Sequence, residues 1–192
     1  MTEDAAKAAR DAVVESLSRH QMEEGQRLFA EYSDHLPEAI RLECLGSIHF
    51  YRRELQEAVR CYEAAILLAP EKIIARYQYL VGTQEERSGN FVEAFKRYQA
   101  AIEAEPTFVD PYVELGGLLV KVDDLEGAAQ CYRDAVRIDP SDTANHFNLK
   151  VVLGRLSLID PTRYKSELAA VEVAYEEAAQ RDGPKMLGER HW

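Results

Sequence analysis

The stretch "CYEAAILLAP" at residues 61–70 returns twice further along the chain. It recurs as "RYQAAIEAEP" at 97–106 and as "CYRDAVRIDP" at 131–140, each time with a tyrosine eight residues before a proline. Apolar residues at spacings of three and four lie on one face of a helix. Because proline cannot continue a helix, we predict that each copy is an amphipathic helix that stops at its proline.

The three copies share a pattern of small and aromatic residues. A small residue is followed by an aromatic residue four positions later and by a second small residue three positions after that. The sets are Ala58/Tyr62/Ala65, Ala94/Tyr98/Ala101 and Ala128/Tyr132/Ala135, with a more distant set at Gly25/Phe29/Tyr32. Their first members lie 33, 36 and 34 residues apart. This period predicts a structural repeat with the aromatic residue buried beside a neighbouring helix.

Another helical pattern precedes each copy and contains a glycine, at Gly46, Gly82 and Gly116. Glycine inside a helix costs about 1 kcal/mol relative to alanine, so we predict that a second helix crosses there too closely for a Cβ atom. Short turns join the two helices. We expect the last residue of each turn to begin the buried face of the second helix; these residues are Leu55, Phe91 and Leu125.

This combination of residues resembles the tetratricopeptide repeat, a helix–turn–helix unit of about 34 residues. The resemblance implies an all-α fold, a right-handed α-solenoid of stacked antiparallel helix pairs with about four to five units and atypical ends. We predict one domain, 1–180, followed by a flexible tail, 181–192. Its units are 4–37, 39–70, 73–106, 109–140 and a degenerate or capping unit at 142–180.

Two stretches do not fit the regular period. Residues 71–74 and 157–163 add length between helices, and no function is assigned to either stretch. In the second stretch, Asp160 and Pro161 are suited to the cap and the first position of a helix. We therefore expect the last helix to cover about 161–180.

Composition disfavours several classes of function. The 34 acidic residues outnumber the 23 basic ones and give a net charge of −11, which disfavours nucleic acids and anionic membranes. No apolar run approaches the roughly 18–20 residues of a membrane helix, and the first residues do not resemble a secretory signal. We therefore expect a cytoplasmic protein that is not inserted in a membrane.

Residues with catalytic chemistry are scattered. The five histidines follow no metal-ligand spacing, the three cysteines form no CxxC pair, and there is no phosphate-binding glycine loop or nucleophile elbow. We predict that the protein is not an enzyme and that it holds neither a metal nor a cofactor.

The resemblance implies a concave groove lined by the first helix of each unit. We predict that it binds a peptide or helix of another protein, with Tyr79 and Arg76 foremost because aromatic and arginine side chains often anchor interfaces. The other predicted groove residues are Glu43, Phe50, Tyr51, Thr83, Arg87, Val113, Val120, Lys121, Phe147 and Val151. Phe50 and Phe147 have an alternative interpretation as core residues between helices.

Three functional hypotheses follow from the sequence. The first is a protein-interaction scaffold or adaptor. The second is a dedicated chaperone, since the short acidic array is similar to bacterial chaperones of secreted proteins, and its client would be a secreted or assembling protein. The third is a self-assembling scaffold, in which copies of the chain form a homo-oligomer. The identity of the partner is not encoded in any motif that we recognise.

Overall fold

The structure is a computed structural model that describes residues 1–70 and 74–182. All regular structure in these ranges is helical, which confirms the predicted all-α solenoid class. The helices are α1 (Glu3–Ser18), α2 (Met22–Tyr32), α3 (Glu38–Tyr51), α4 (Leu55–Leu68), α5 (Ala75–Arg87), α6 (Phe91–Ala104), α7 (Val109–Lys121), α8 (Leu125–Ile138), α9 (Thr143–Ile159) and α10 (Pro161–Asp182), with a 3-10 turn at Ser33–His35. None of these helices is long and apolar enough to cross a membrane.

Odd-numbered helices are the first helices of the pairs, and even-numbered helices are the second. Contacts group the chain into two compact units, residues 1–84 and the residues from 85 onward, and helix α5 contributes to both. In the first unit α1 packs on α2 and α3, and α3 packs on α4. In the second unit α7 packs on α6 and α8, and α9 packs on α8 and α10. Within each unit the packed helices thus include pair members and helices of adjacent pairs.

The predicted buried faces are confirmed. Tyr62 and Tyr98 are 0% exposed and Tyr132 is 6% exposed, and the alanines of their sets are also buried. In the more distant set Gly25 is buried, whereas Phe29 and Tyr32 are half-buried beside the core of α1. Rings of this size dominate the apolar area that a small helical unit can bury.

Glycines stand where these rings touch the first helix. A Cβ atom at Gly46 would lie 2.5 Å from Cε1 of Tyr62, and one at Gly116 would lie 2.7 Å from Cε1 of Tyr132. Both distances are far shorter than a van der Waals contact, so the predicted close crossing is confirmed at these two positions. In the last pair Lys150 occupies the corresponding place, and its Nζ lies 4.0 Å from the ring centroid of Tyr175.

The turn inside each of the first four pairs has the same backbone form. One residue per turn has a positive φ; these residues are His20 (61°), Arg53 (64°), Gly89 (81°) and Asp123 (63°). In every turn the next residue donates its N–H to the carbonyl five positions earlier, at 2.9 Å. This left-handed residue satisfies the last carbonyls of the first helix and reverses the chain.

The residues that open the second helices are only partly buried. Leu125 is 7% exposed and lies in the core with Leu156 and Tyr164, as expected. Leu55 and Phe91 are 38% and 44% exposed, so this expectation is wrong for them. The Lys121 ammonium lies 5.8 Å from the ring centroid of Phe91.

In the second compact unit, proline carbonyls connect successive pairs. The Tyr112 hydroxyl donates to the carbonyl of Pro106 at 3.1 Å, and Nε2 of His146 donates to the carbonyl of Pro140 at 2.9 Å. Each proline therefore ends one helix pair and also receives a side chain from the first helix of the next pair.

The last pair absorbs the extra residues near 157–163 without a long loop. Helix α9 continues to Ile159, and α10 begins at Pro161 as predicted. Asp160 caps α10, because its Oδ1 accepts the N–H of Arg163 at 3.1 Å. Helix α10 continues to Asp182, so residues 181–182 of the predicted flexible tail are helical, and residues 183–192 lie outside the described part of the chain.

Candidate functional site

Four predicted groove residues of the first compact unit lie in its interior. Glu43, Phe50, Arg76 and Tyr79 are 8%, 3%, 3% and 6% exposed. The Phe50 ring meets the rings of Tyr51 and Tyr79 edge to face, at centroid distances of 5.2 and 6.0 Å. Nη2 of Arg76 donates to the Tyr51 hydroxyl at 3.1 Å. Their burial leaves them little surface for a partner, and contact with one stays a prediction.

A polar chain lies under these residues. Nη1 of Arg10 donates to Oε1 of Glu43 at 3.2 Å, and the Ser47 hydroxyl donates to the Glu43 carbonyl at 3.0 Å. The Tyr62 hydroxyl in turn donates to Oγ of Ser47 at 3.2 Å. Burial raises the pKa of the Tyr62 phenol, so it remains a neutral donor at physiological pH. The arrangement connects α1, α3 and α4.

Two other predicted residues come from α5. Thr83 is half-buried, and its hydroxyl donates to the Leu80 carbonyl of the same helix at 2.8 Å, so it is directed toward the backbone. Arg87 is exposed. Of these two, Arg87 presents the more accessible polar group.

The predicted residues of α7 combine core and surface positions. Val113 is 8% exposed and belongs to the core, Val120 is half-buried, and Lys121 is exposed. Nζ of Lys121 lies 2.5 Å from Oε1 of Glu86, whose other oxygen accepts the Tyr98 hydroxyl at 2.7 Å. Glu86 therefore connects α5, α6 and α7. Sequence analysis missed it, because an acidic residue near a helix end is usually solvated.

The predicted residues of α9 lie next to α10. Phe147 is half-buried, with its ring centroid 5.8 Å from that of Tyr175 and 5.3 Å from Nζ of Lys150. Val151 is 44% exposed. Nη2 of Arg155 donates to Asp123 at 2.7 Å, which joins α9 to the turn between α7 and α8. Both interpretations of Phe147, as a groove residue and as a core residue, therefore agree with its position, because part of the ring is packed and part is accessible.

We call the accessible part of this region the α7–α9 surface. It consists of Val120, Lys121, Phe147, Val151 and Arg155. It combines aliphatic and aromatic groups with two cations, a combination that suits a protein segment with apolar and acidic side chains. No cluster of metal-ligating side chains occurs in ranges 1–70 and 74–182, and burial raises the pKa of the Cys131 thiol to about 11.

Comparisons with known proteins agree with this architecture. The tetratricopeptide repeat family matches residues 109–142, which span α7 and α8 and end at Asp142, the N-cap of α9. BBSome complex member BBS4 of Bos taurus is 28% identical over 109 residues, and that of Mus musculus is 29% identical over 111 residues. Each match covers 57% of this chain but only 21% of the relative, so the chain spans about a fifth of the length of these proteins.

Solved structures share the fold over most of the chain. A crystal structure of MamA has a TM-score of 0.54 at 15% identity, covering 87% of this chain and 94% of that one. A MamA RS-1 ArsTM double mutant has a TM-score of 0.51 at 21% identity, covering 95% and 99%. At such low identity the likeness concerns the helical architecture alone.

Proposed function

Since the chain is a tetratricopeptide-repeat protein, we propose that it is a non-enzymatic scaffold or adaptor that binds a segment of a partner protein. This fold implies protein partners in general, and proteins built from such repeats are typically interaction modules rather than enzymes. The finer proposal concerns where the partner binds. We assign it to the α7–α9 surface, where predicted groove residues remain accessible.

The observation that carries the proposal is the exposure of Val151 beside buried positions of α9. Val152 and Leu153, its neighbours in α9, are 2% and 0% exposed, whereas Val151 is 44% exposed. An aliphatic side chain in this position gains free energy when a partner covers it. Phe147 lies one helical turn earlier on the same face and offers the exposed part of a ring to the same partner.

The cations of the surface add a preference for acidic groups. Lys121 is paired with Glu86 and Arg155 is paired with Asp123. The side chain of Lys121 is nevertheless 58% exposed, and that of Arg155 is 45% exposed. Both can therefore contact a carboxylate of a partner while retaining their present contacts. Exposed ion pairs contribute little affinity, so we assign orientation and association rate to them and binding energy to the apolar residues.

The test is an affinity experiment with matched variants. Val151→Asp places a charge in the proposed apolar contact, and Val92→Asp makes the same change at a 73% exposed position on α6. Partners captured from native cell extract by the intact chain would be identified by mass spectrometry, purified and measured by calorimetry. We expect Val151→Asp to weaken binding at least about tenfold and Val92→Asp to leave it unchanged. Equal binding by the intact chain and Val151→Asp would refute the assigned surface.

The chaperone and self-assembly hypotheses make different predictions in the same experiment. A dedicated chaperone binds its client unfolded and in fixed stoichiometry, so the captured protein would lose affinity once folded. Self-assembly would give a mass in light scattering that rises with concentration. A scaffold of the proposed kind binds a folded or peptide partner while its own mass stays constant.

A further inference from the structure

Helix α9 has an apolar stripe on the side that faces away from its buried residues. The α9 stripe consists of Phe147, Val151, Gly154 and Leu158. Spacings of four, three and four residues keep its members on one face of the helix, over about three turns. On the opposite side Leu149, Val152 and Leu156 are 3%, 2% and 4% exposed. The stripe is accessible, since Val151 is 44% exposed and Leu158 is 85% exposed.

The stripe is long because α9 exceeds the preceding first helices by about one turn. Helix α9 has 17 residues, whereas α3 has 14 and α5 and α7 have 13 each. The added turn includes the start of the stretch 157–163, for which the sequence suggests no function, and it carries Leu158. An apolar side chain as exposed as Leu158 gains free energy when a partner covers it.

Gly154 leaves a hollow in the middle of the stripe. A Cβ atom at Gly154 would meet no described atom within 4 Å. At Gly46 and Gly116, in contrast, a tyrosine ring of another helix would lie within 2.7 Å of such an atom. The helices of this chain thus cross by placing a large side chain on a glycine, as a knob fits into a hole. Gly154 is a hole of this kind that no described helix fills.

Helix α9 also differs in charge from the rest of the chain. Among the helices that the structure describes it is the only one without an aspartate or glutamate, although the net charge of the chain is −11. Its cations, Lys150 and Arg155, lie on the two sides of the stripe. Nζ of Lys150 lies 5.3 Å from the ring centroid of Phe147, and the side chain of Arg155 is 45% exposed.

The neighbouring carboxylates only partly offset these cations. The side chain of Glu86 is 15% exposed, whereas that of its partner Lys121 is 58% exposed, so the cation is the more accessible member of the pair. Glu172 and Glu176 are exposed on α10, but α10 packs against the buried side of α9. Asp123 is the exposed carboxylate, and it is paired with a cation of α9. A partner therefore meets mainly positive charge beside the stripe.

We propose that the α9 stripe binds an amphipathic α-helix of a partner protein, with one large apolar side chain of that helix seated on Gly154. Other apolar side chains of the partner helix pack on Val151 and Leu158, one turn away on either side, and its acidic side chains lie beside Lys150 and Arg155. This inference rests on the proposed function and specifies the form of the partner. A helix is favoured over an extended segment because seating a side chain on a glycine is the way in which the chain's own helices cross.

Synthetic peptides test the form of the partner. The probe is an 18-residue fluorescein-labelled peptide with leucines on one helical face and with alanines and glutamates elsewhere. One twin has proline in place of a central alanine of the outer face, and the other has lysine in place of every glutamate. We expect fluorescence anisotropy with the full chain to show binding of the probe, at least about tenfold weaker binding of the proline twin, and several-fold weaker binding of the lysine twin.

Variants of the chain test the hollow. Gly154→Leu fills it and should weaken binding of the probe at least about tenfold, and Gly154→Ala should weaken it about fivefold. Neither loss can be assigned to unfolding if circular dichroism shows melting at or above the temperature of the intact chain. Gln99→Leu adds the same side chain at an exposed position of α6 and should leave binding unchanged.

Several results would overturn the inference. They are absence of probe binding, equal binding of the probe and the proline twin, and equal binding of the probe by the intact chain and Gly154→Leu. A molecular mass that rises with concentration, and no longer does so in Gly154→Leu, would assign the stripe to a second copy of the chain.

The partner captured from cell extract separates this inference from the proposed function. If Val151→Asp weakens binding of that partner and Gly154→Leu does not, the helical contact is wrong and the proposed function stands. If neither variant weakens it, both are wrong. Weakening by both variants, at least about tenfold each, is the result expected for a helix bound along α9.

Discussion

The contact between Gly46 and Tyr62 predicts opposite effects for the same substitution at two glycines. Alanine in place of glycine in a helix interior contributes about 1 kcal/mol of stability when space allows. At Gly154 a Cβ would meet no described atom within 4 Å, so Gly154→Ala should keep this gain. At Gly46 the Cβ would lie 2.5 Å from Cε1 and 2.6 Å from Cδ1 of Tyr62.

The ring of Tyr62 has little freedom to move away. It is 0% exposed, and its hydroxyl is bound to Ser47, the residue next to Gly46. Overpacking of a core costs about 1–3 kcal/mol, and the rigid surroundings place Gly46→Ala near the upper value. After subtraction of the helix gain, we expect a net loss of about 2 kcal/mol. The two variants should therefore differ by about 3 kcal/mol in unfolding free energy.

Thermal denaturation followed by circular dichroism tests this difference. In a chain of this size 1 kcal/mol corresponds to about 2–4 °C, so Tm should fall by about 4–8 °C for Gly46→Ala and rise by about 2–4 °C for Gly154→Ala. Adding Tyr62→Leu to Gly46→Ala should cost less than the two separate changes together, because the smaller side chain removes the collision. The reasoning is refuted if Gly46→Ala melts at or above the temperature of Gly154→Ala.

Three further predictions concern the turns, one ion pair and one thiol. Arg53→Gly should raise the unfolding free energy by about 1 kcal/mol and Gly89→Ala should lower it by about as much, because both positions have positive φ. Urea titration measures both changes. A change of the same sign in the two variants would contradict the turn geometry. The hydrogen bond from Arg133 lowers the pKa of Glu167, so the stability that it contributes is present above the unfolded value near ~4.3 and is lost as pH falls through the folded value. Glu167→Gln should therefore lower Tm at neutral pH by the equivalent of at most about 1 kcal/mol, and the difference from the wild type should vanish in acid. Cys131, with a pKa of about 11, should be a thiolate in about one molecule in a thousand at pH ~8, so it should react with iodoacetamide mainly after unfolding. Mass spectrometry of labelled peptides measures this reaction. Rapid labelling of Cys131 in the folded chain would contradict the prediction.

The seam between helices could be predicted from sequence because two signals coincide there. Small residues and a ring at fixed spacing define one face, and the inner glycine marks where that ring meets the other helix. Both residues of the contact between Tyr62 and Gly46 could therefore be predicted from the sequence alone. The start of α10 was equally readable, since Asp160 and Pro161 each favour a helix N-terminus for a separate physical reason.

The accessible surface was much less predictable. Periodicity tells which face of a helix a residue occupies, but the extent to which neighbours cover that face depends on three-dimensional packing. Tyr79 and Arg76 share the face of Val151 by repeat position, yet they are 6% and 3% exposed while Val151 is 44% exposed. Phe91 shows the reverse case, an aromatic expected inside that is 44% exposed.

The recurring turns have a consequence for how such a chain can be recombined. The left-handed residues lie at equivalent points of four pairs and have the same hydrogen bonds, whatever their side chains. Excising residues 90–123 would join Gly89, a left-handed residue, to Asp124, which follows the left-handed residue of the next turn. The excision would remove one complete module of 34 residues. A junction made at these turns keeps the same helix cap as the original turns. Repeats can therefore be gained or lost by recombination without the need for a new loop.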